Sequence, residues 1–161
     1  MKKLLFILPV LLLAGCNVLL LNQYAADLAN RGPGTVFTDA IYPLHDYLAG
    51  MGRRHFAAVD WGFADTLCLL SDGDMDVEDI SIPLRMGSAA DDLRALIAKP
   101  RTVFVGRVQA DEQFPGVHAL LNGIAAEMGY DRRVVRVIED RNRRPRFEVL
   151  RYIPRTESAS R

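Results

Sequence analysis

Thr35-Val-Phe-Thr-Asp-Ala-Ile-Tyr-Pro-Leu-His-Asp-Tyr-Leu48 and, beyond a turn at Gly50 and Gly52, His55-Phe-Ala-Ala-Val-Asp-Trp-Gly62 decide the fold. A short apolar run ends at Asp39, a helical pattern follows, and a second apolar run ends at Asp60-Trp61-Gly62. This order reads as strand, helix, strand. It predicts strands at Val36-Phe37 and His55–Asp60, with Asp39 and Asp60 at their carboxyl ends, where open α/β sheets hold their ligands. Between them Ile41, Leu44, Tyr47 and Leu48 supply the apolar stripe of a helix, and Thr38 or Asp39 its N-cap.

Downstream, Phe63–Leu70 reads as a helix stopped by Ser71-Asp-Gly73. Ile80-Ser-Ile-Pro83 reads as a short edge strand, because Pro83 cannot donate to a central ladder. A helix opened by Ser88 carries Leu93, Leu96 and Ile97, and Thr102–Gly106 has the β-branched and aromatic content of a buried strand. Pro115 opens a further helix with Val117, Leu120, Leu121, Ile124 and Met128 on one face. Arg133–Glu139 and Arg146–Ile153 alternate as an antiparallel hairpin. The expected architecture is therefore a layered, Rossmann-like α/β domain with a mostly parallel sheet and a C-terminal β-hairpin.

Upstream, Met1-Lys-Lys3 precedes Leu4–Leu21, which holds no charged residue. A basic start followed by an apolar run is the pattern of an export signal, and the run is about long enough to span a bilayer. Leu13-Ala-Gly-Cys16 resembles the lipobox of bacterial lipoproteins, which makes Cys16 a candidate for lipidation. An uncleaved anchor reads equally from the Val18–Leu21 continuation. Either way Lys2 and Lys3 would keep the amino end in the cytoplasm and leave the domain facing the periplasm. The helix is expected to run on through Asn22–Asn30, so the chain divides into an anchor over 1–21, a domain over 22–153 and a disordered tail over 154–161. Cys68, in an apolar helical segment, reads as a packed structural thiol.

Lys plus Arg equals Asp plus Glu at 20 each, so no global field favours nucleic acid, and none is expected as a partner. Charge is uneven along the chain. Residues 55–100 hold nine acids against Arg85, Arg94 and Lys99, whereas residues 131–161 hold ten arginines against five acids.

No phosphate-binding glycine loop, nucleophile elbow or paired-cysteine metal site occurs, and His45, His55 and His118 fall in separate elements. No cofactor, metal ligand or catalytic residue is assigned. The candidate binding set is Asp39, Asp60, Trp61, Gln109 and Asp111, with Asp65 and Glu112 nearby. Carboxylates at one sheet edge can bind a divalent ion or hold sugar hydroxyls, with Trp61 as a stacking platform. The plain alternatives are a cap for Asp39, a solvated helix position for Asp65 and apolar cover for Trp61.

Through Gly34–Asp39, Ala40–Leu48 and Val59-Asp-Trp-Gly62, with Thr-Asp-Ala-Ile-Tyr and Val-Asp-Trp-Gly as its motifs, the chain resembles one known domain type. It is the extracytoplasmic domain that follows the last span of some bacterial glycosyltransferases of the dolichyl-phosphate-mannose mannosyltransferase-like group. The resemblance would run from about Leu4 to Ile153. The catalytic acids of that group lie in a loop between early spans that this chain lacks, so none is carried over. What the resemblance implies is a detached accessory or sensor domain, or a fragment of a longer reading frame; the leading expectation is a non-catalytic domain in envelope glycan or glycolipid metabolism, with an envelope protein, a sugar or a lipid-phosphate sugar as partner. Two other readings stand beside it: a small metal-dependent hydrolase or transferase using Asp39 and Asp60, and a structural envelope lipoprotein whose arginine-rich hairpin docks on an acidic partner.

Overall fold

The structure, a computed structural model, describes residues 2–31, 37–52, 54–88 and 90–155. It divides into two compact units, Met1–Phe37 and Thr38–Arg161.

The first unit is one helix, α1 (Lys2–Arg31), continuous through Asn22–Asn30. Ile7–Asn30 is long and apolar enough to cross a membrane, with a mean hydropathy of 1.7. None of that segment is buried, so leucines from Leu8 to Leu21 lie bare along it. A helix that is apolar all round needs an apolar surrounding, which a signal or membrane anchor finds in a bilayer.

The second unit begins with α2 (Ile41–Gly50) and β1 (His55–Ala58), then α3 (Ala64–Leu70) and β2 (Val77–Asp79). Next come α4 (Ser81–Met86), α5 (Ala90–Ala98), β3 (Thr102–Arg107) and a single 3₁₀ turn at Gln109–Asp111. Helix α6 (Val117–Glu127) and strands β4 (Tyr130–Glu139) and β5 (Pro145–Pro154) complete it. The five strands form one sheet in the order β2-β1-β3-β5-β4. β2, β1 and β3 are parallel, whereas β5 runs antiparallel to both β3 and β4.

The sheet is therefore mixed rather than mostly parallel. Val36 lies outside the described residues, and Phe37 is an exposed bend. The helical turn already starts at Thr38, whose carbonyl accepts from the Ile41 amide at 3.3 Å while Asp39's accepts from Tyr42 at 3.2 Å. Thr38 Oγ1 also takes the Ala40 amide, so the segment is committed to opening α2. Asp39 consequently closes no strand.

A second correction falls at Ile80–Pro83. The edge strand is Val77–Asp79, and Ser81-Ile-Pro83 instead opens α4. Asp79 Oδ1 accepts the Ser81 amide at 2.8 Å, which turns the chain, and a proline in a first helical turn has no ladder bond to lose. At the other end the expected tail is ordered further than the composition suggests. Pro154 closes β5 and the Arg155 amide bonds Gly129 O at 3.0 Å, while residues 156–161 lie outside the described residues.

Alternation along the strands makes two cores, one on each face. Phe56, Ala58, Val103, Val105, Phe147 and Val149 pack beneath α2 and α3 with Leu44, Leu48 and Leu67. Ala57, Val59, Phe104, Leu150 and Tyr152 face α4, α5 and α6, meeting Leu84, Leu93, Leu96 and Leu121. All six residues of β3 are buried, which explains its unbroken apolar run.

Candidate functional site

The carboxyl edge of the parallel strands is where a ligand crevice was expected, between the ends of β1 and β3. Asp60 is there and fully buried. Its Oδ1 accepts the Trp61 amide at 2.9 Å and the Phe114 amide at 3.0 Å, and its Oδ2 accepts the Gln113 amide at 2.8 Å. Arg107 Nε lies 3.7 Å from Oδ2. Both carboxylate oxygens are thereby engaged, and the loop from Val108 to Gly116 fills the crevice.

Arg107, 1% exposed, ends β3 beneath Gly62 and stacks over the Phe147 ring at 5.4 Å. Burial lowers its pKa, and Asp60 and then Asp111 oppose that shift. Gly62 adopts φ +92°, a conformation side chains avoid, and this lets the chain pass over the guanidinium.

The same loop is tied to the hairpin. Asp111 Oδ2 accepts from Arg146 Nη1 at 2.7 Å, while Arg146 Nε reaches Asp140 Oδ2 at 3.0 Å. Asp140 also takes Arg144 Nε and the amides of Asn142 and Arg144. Burial pushes the Asp140 pKa up, but these donors outweigh it and hold the carboxyl at about 2. Burial likewise lowers the Arg146 pKa, and bonds to Asp111 and Asp140 raise it to a net upward shift.

Glu112 serves α6. Its Oε2 accepts the Gly116 amide at 2.7 Å and its Oε1 the His118 amide at 3.4 Å, so it satisfies donors at the start of that helix. His118 itself is 7% exposed, and its Nε2 has no hydrogen-bond partner among the described residues. Burial lowers its pKa, against the pull of Glu112 and Glu148.

Among the other sequence candidates, Asp39 pairs with Arg141 at 3.4 Å, and Asp65 is exposed in the first turn of α3. Gln109 is exposed in the 3₁₀ turn, and Trp61 is 48% exposed at the strand end. Asp60 and Asp111 therefore meet at one edge around Arg107, whereas Asp39 answers to the hairpin. Cys16 is an exposed free thiol on α1, and Cys68 is half-buried and free. Among the described residues no three His, Cys, Asp or Glu side chains are grouped to hold a metal ion.

A hollow opens at the opposite, amino edge. About 840 Å³ in volume, it lies between the end of α2, the start of β1 and the turn after α3, with Arg54, His55, Asp74 and Arg101 at its rim. His55 Nδ1 faces Asp76 and Nε2 faces Glu78, each at 2.9 Å.

Sequence reasoning passed over Arg107, Arg146 and the role of Glu112. The one available signal was position: Glu112 lies four residues before Gly116, and Arg107 is a charge that directly continues a fully apolar strand. No family model matches this chain, and no curated protein or solved structure matches it either.

Proposed function

We propose that this chain is a membrane-anchored binding domain of the cell envelope, facing the periplasm, which holds a partner or a glycan ligand rather than transforming one. The observation that carries this reading is the state of Asp60. The acid best placed for chemistry at the sheet edge has both oxygens bonded to main-chain amides, and its charge is matched by a buried arginine. Such a carboxylate holds a loop in place; it has no lone pair aimed at a reactant.

The bare apolar surface of α1 supports anchoring, and exposed Trp61 supports ligand contact. An indole at a strand end, half open to solvent, offers a flat face to a sugar ring. The glycan assignment itself rests on the resemblance of Thr38-Asp-Ala-Ile-Tyr42 and Val59-Asp-Trp-Gly62 described above.

Trp61 is the chain's single tryptophan, so intrinsic fluorescence reports on this position alone. The test is a titration of the full chain in lipid nanodiscs with simple sugars and lipid-phosphate sugars. Saturable change in emission, with heat of binding of the same compound measured by calorimetry and lost in Trp61→Ala, supports the reading. Turnover of any of these compounds that Asp60→Asn abolishes without unfolding the chain overturns it in favour of an enzyme.

A further inference from the structure

β4 is the outer strand of the sheet and is paired on one side only, with β5. An edge strand leaves a row of main-chain N–H and C=O groups open to pairing. The opposite edge is kept to the three residues of β2, a common way to limit such pairing, but β4 runs for ten. Val134, Val135 and Val137 are 39–40% exposed along it.

Arginines interleave with these valines. Arg132 is tied to Glu148, while Arg133 and Arg136 are exposed and form no ion pair among the described residues. Two hollows border the same stretch. One of about 690 Å³ lies between Pro43 and residues 134–140, and one of about 330 Å³ lies between Met51, Arg133, Val134, Val135 and the end of β5. A register shift between Val134 and Arg136 divides the edge, so a partner strand would be short.

The charges discriminate between occupants. In any antiparallel self-pairing centred on residues 134–136, Arg136 falls opposite or diagonal to Arg132, Arg133 or Arg136 of the other copy, which is repulsive. An anionic lipid surface would answer the arginines but not the alternating donors and acceptors of the strand. A segment with acids at alternate positions answers both, its backbone joining the ladder and its carboxylates meeting the guanidinium groups.

We propose that β4 is the docking edge for a short, extended, acidic segment of another protein, which adds to the sheet as a further strand. This deepens the reading of the chain as an anchored binding domain and rests on it. The mode is strand addition, with main-chain bonds giving affinity and Arg133 and Arg136 giving selectivity for acids.

The test uses the full chain in nanodiscs of zwitterionic lipid and a fluorescent peptide alternating valine and glutamate. Its lysine counterpart and two versions N-methylated on alternate amides serve as controls. Expected are binding of the acidic peptide only, weakening of about tenfold or more between low and high salt, and a similar loss in Arg133→Glu/Arg136→Glu. One N-methylated version should fail while the other binds, because only one set of alternate amides faces β4. Should the charge-reversed chain melt early, Arg133→Gln/Arg136→Gln replaces it and is expected to weaken binding in the same direction.

Equal binding of acidic and basic peptides, unchanged binding in the double variants, or equal binding of both N-methylated forms overturns the proposal. So does arginine-dependent binding to anionic vesicles that the peptide does not compete, or arginine-dependent dimerisation. Failure of the peptide while Trp61 still reports a ligand removes the β4 proposal and leaves the anchored binding domain standing. Loss of the Trp61 response with peptide binding intact removes the glycan ligand and keeps the edge.

Discussion

Nε2 of His118 lies against the Cα of Gly106, so closely that a methyl group built on Gly106 would stand 2.4 Å from that nitrogen. Helix α6 approaches the sheet at this point because β3 offers no side chain there. The ring is almost wholly buried. Gly106→Ala should therefore destabilise the domain by about 1–3 kcal/mol through overpacking. Urea unfolding of the full chain in detergent measures it. Adding His118→Ala to the same chain should recover part of the loss, since the clash and its partner are then both gone.

The same histidine gives the fold a dependence on pH. Burial places its folded-state pKa below the ordinary value near 6.5, so the unfolded chain takes up the proton first. Stability is then highest above that ordinary value and declines as the pH falls below it. Thermal midpoints measured from about pH 8 to pH 5 should fall in the native chain. In His118→Leu this part of the slope should be flattened.

Asp140 acts further toward acid. Its folded value of about 2 lies below the unfolded carboxylate range near 4, so its contribution is complete above the unfolded value and disappears as the pH falls toward 2. At neutral pH that contribution is about 1–2 kcal/mol, allowing for screening at the rim of the hairpin. Asp140→Asn should lower the midpoint near pH 7 and lower it clearly less near pH 2.5, where the native carboxyl has lost much of its advantage.

Asp60→Asn isolates the loop. An asparagine keeps the shape but offers one acceptor oxygen in place of two, and turns an N–H₂ toward amides that are themselves donors. A loss of about 2–4 kcal/mol is expected, with faster amide exchange at Gln113 and Phe114. Trp61→Ala, at a half-exposed position, should cost about 1 kcal/mol or less.

The fold was legible where periodicity was long. The strand expected at Thr102–Gly106 and the hairpin alternation stand where their patterns predicted, while α6 starts at Val117 rather than Pro115 and keeps Val117 and Leu121, but not Leu120, on its buried face. Legibility failed where a short apolar run competed with a helix start. Asp39 was expected to end a strand, while Thr38 and Asp39 offer carbonyls and a hydroxyl that begin α2. Ile80–Pro83 failed for the same reason, because the strand ends at Asp79, whose carboxylate turns the chain into α4 before Pro83 is reached.

The edge location of Asp60 was also legible, and its employment was not. Its partners are amides 53 and 54 residues further along, and no local pattern marks main-chain donors. Arg107 and Arg146 were hidden in the same way. A charge at a strand end reads as solvated until its partners from three separate segments are brought around it.

β5 is the last strand in chain order, yet it lies inside the sheet, between β3 and β4. Phe147 and Val149 complete one core, and Leu150 and Tyr152 complete the other. A nascent chain emerging from the ribosome thus has neither core finished until residue 152 has been added, although its apolar helix is made first. The parallel half must wait, unpaired at β3, for the strand that closes it.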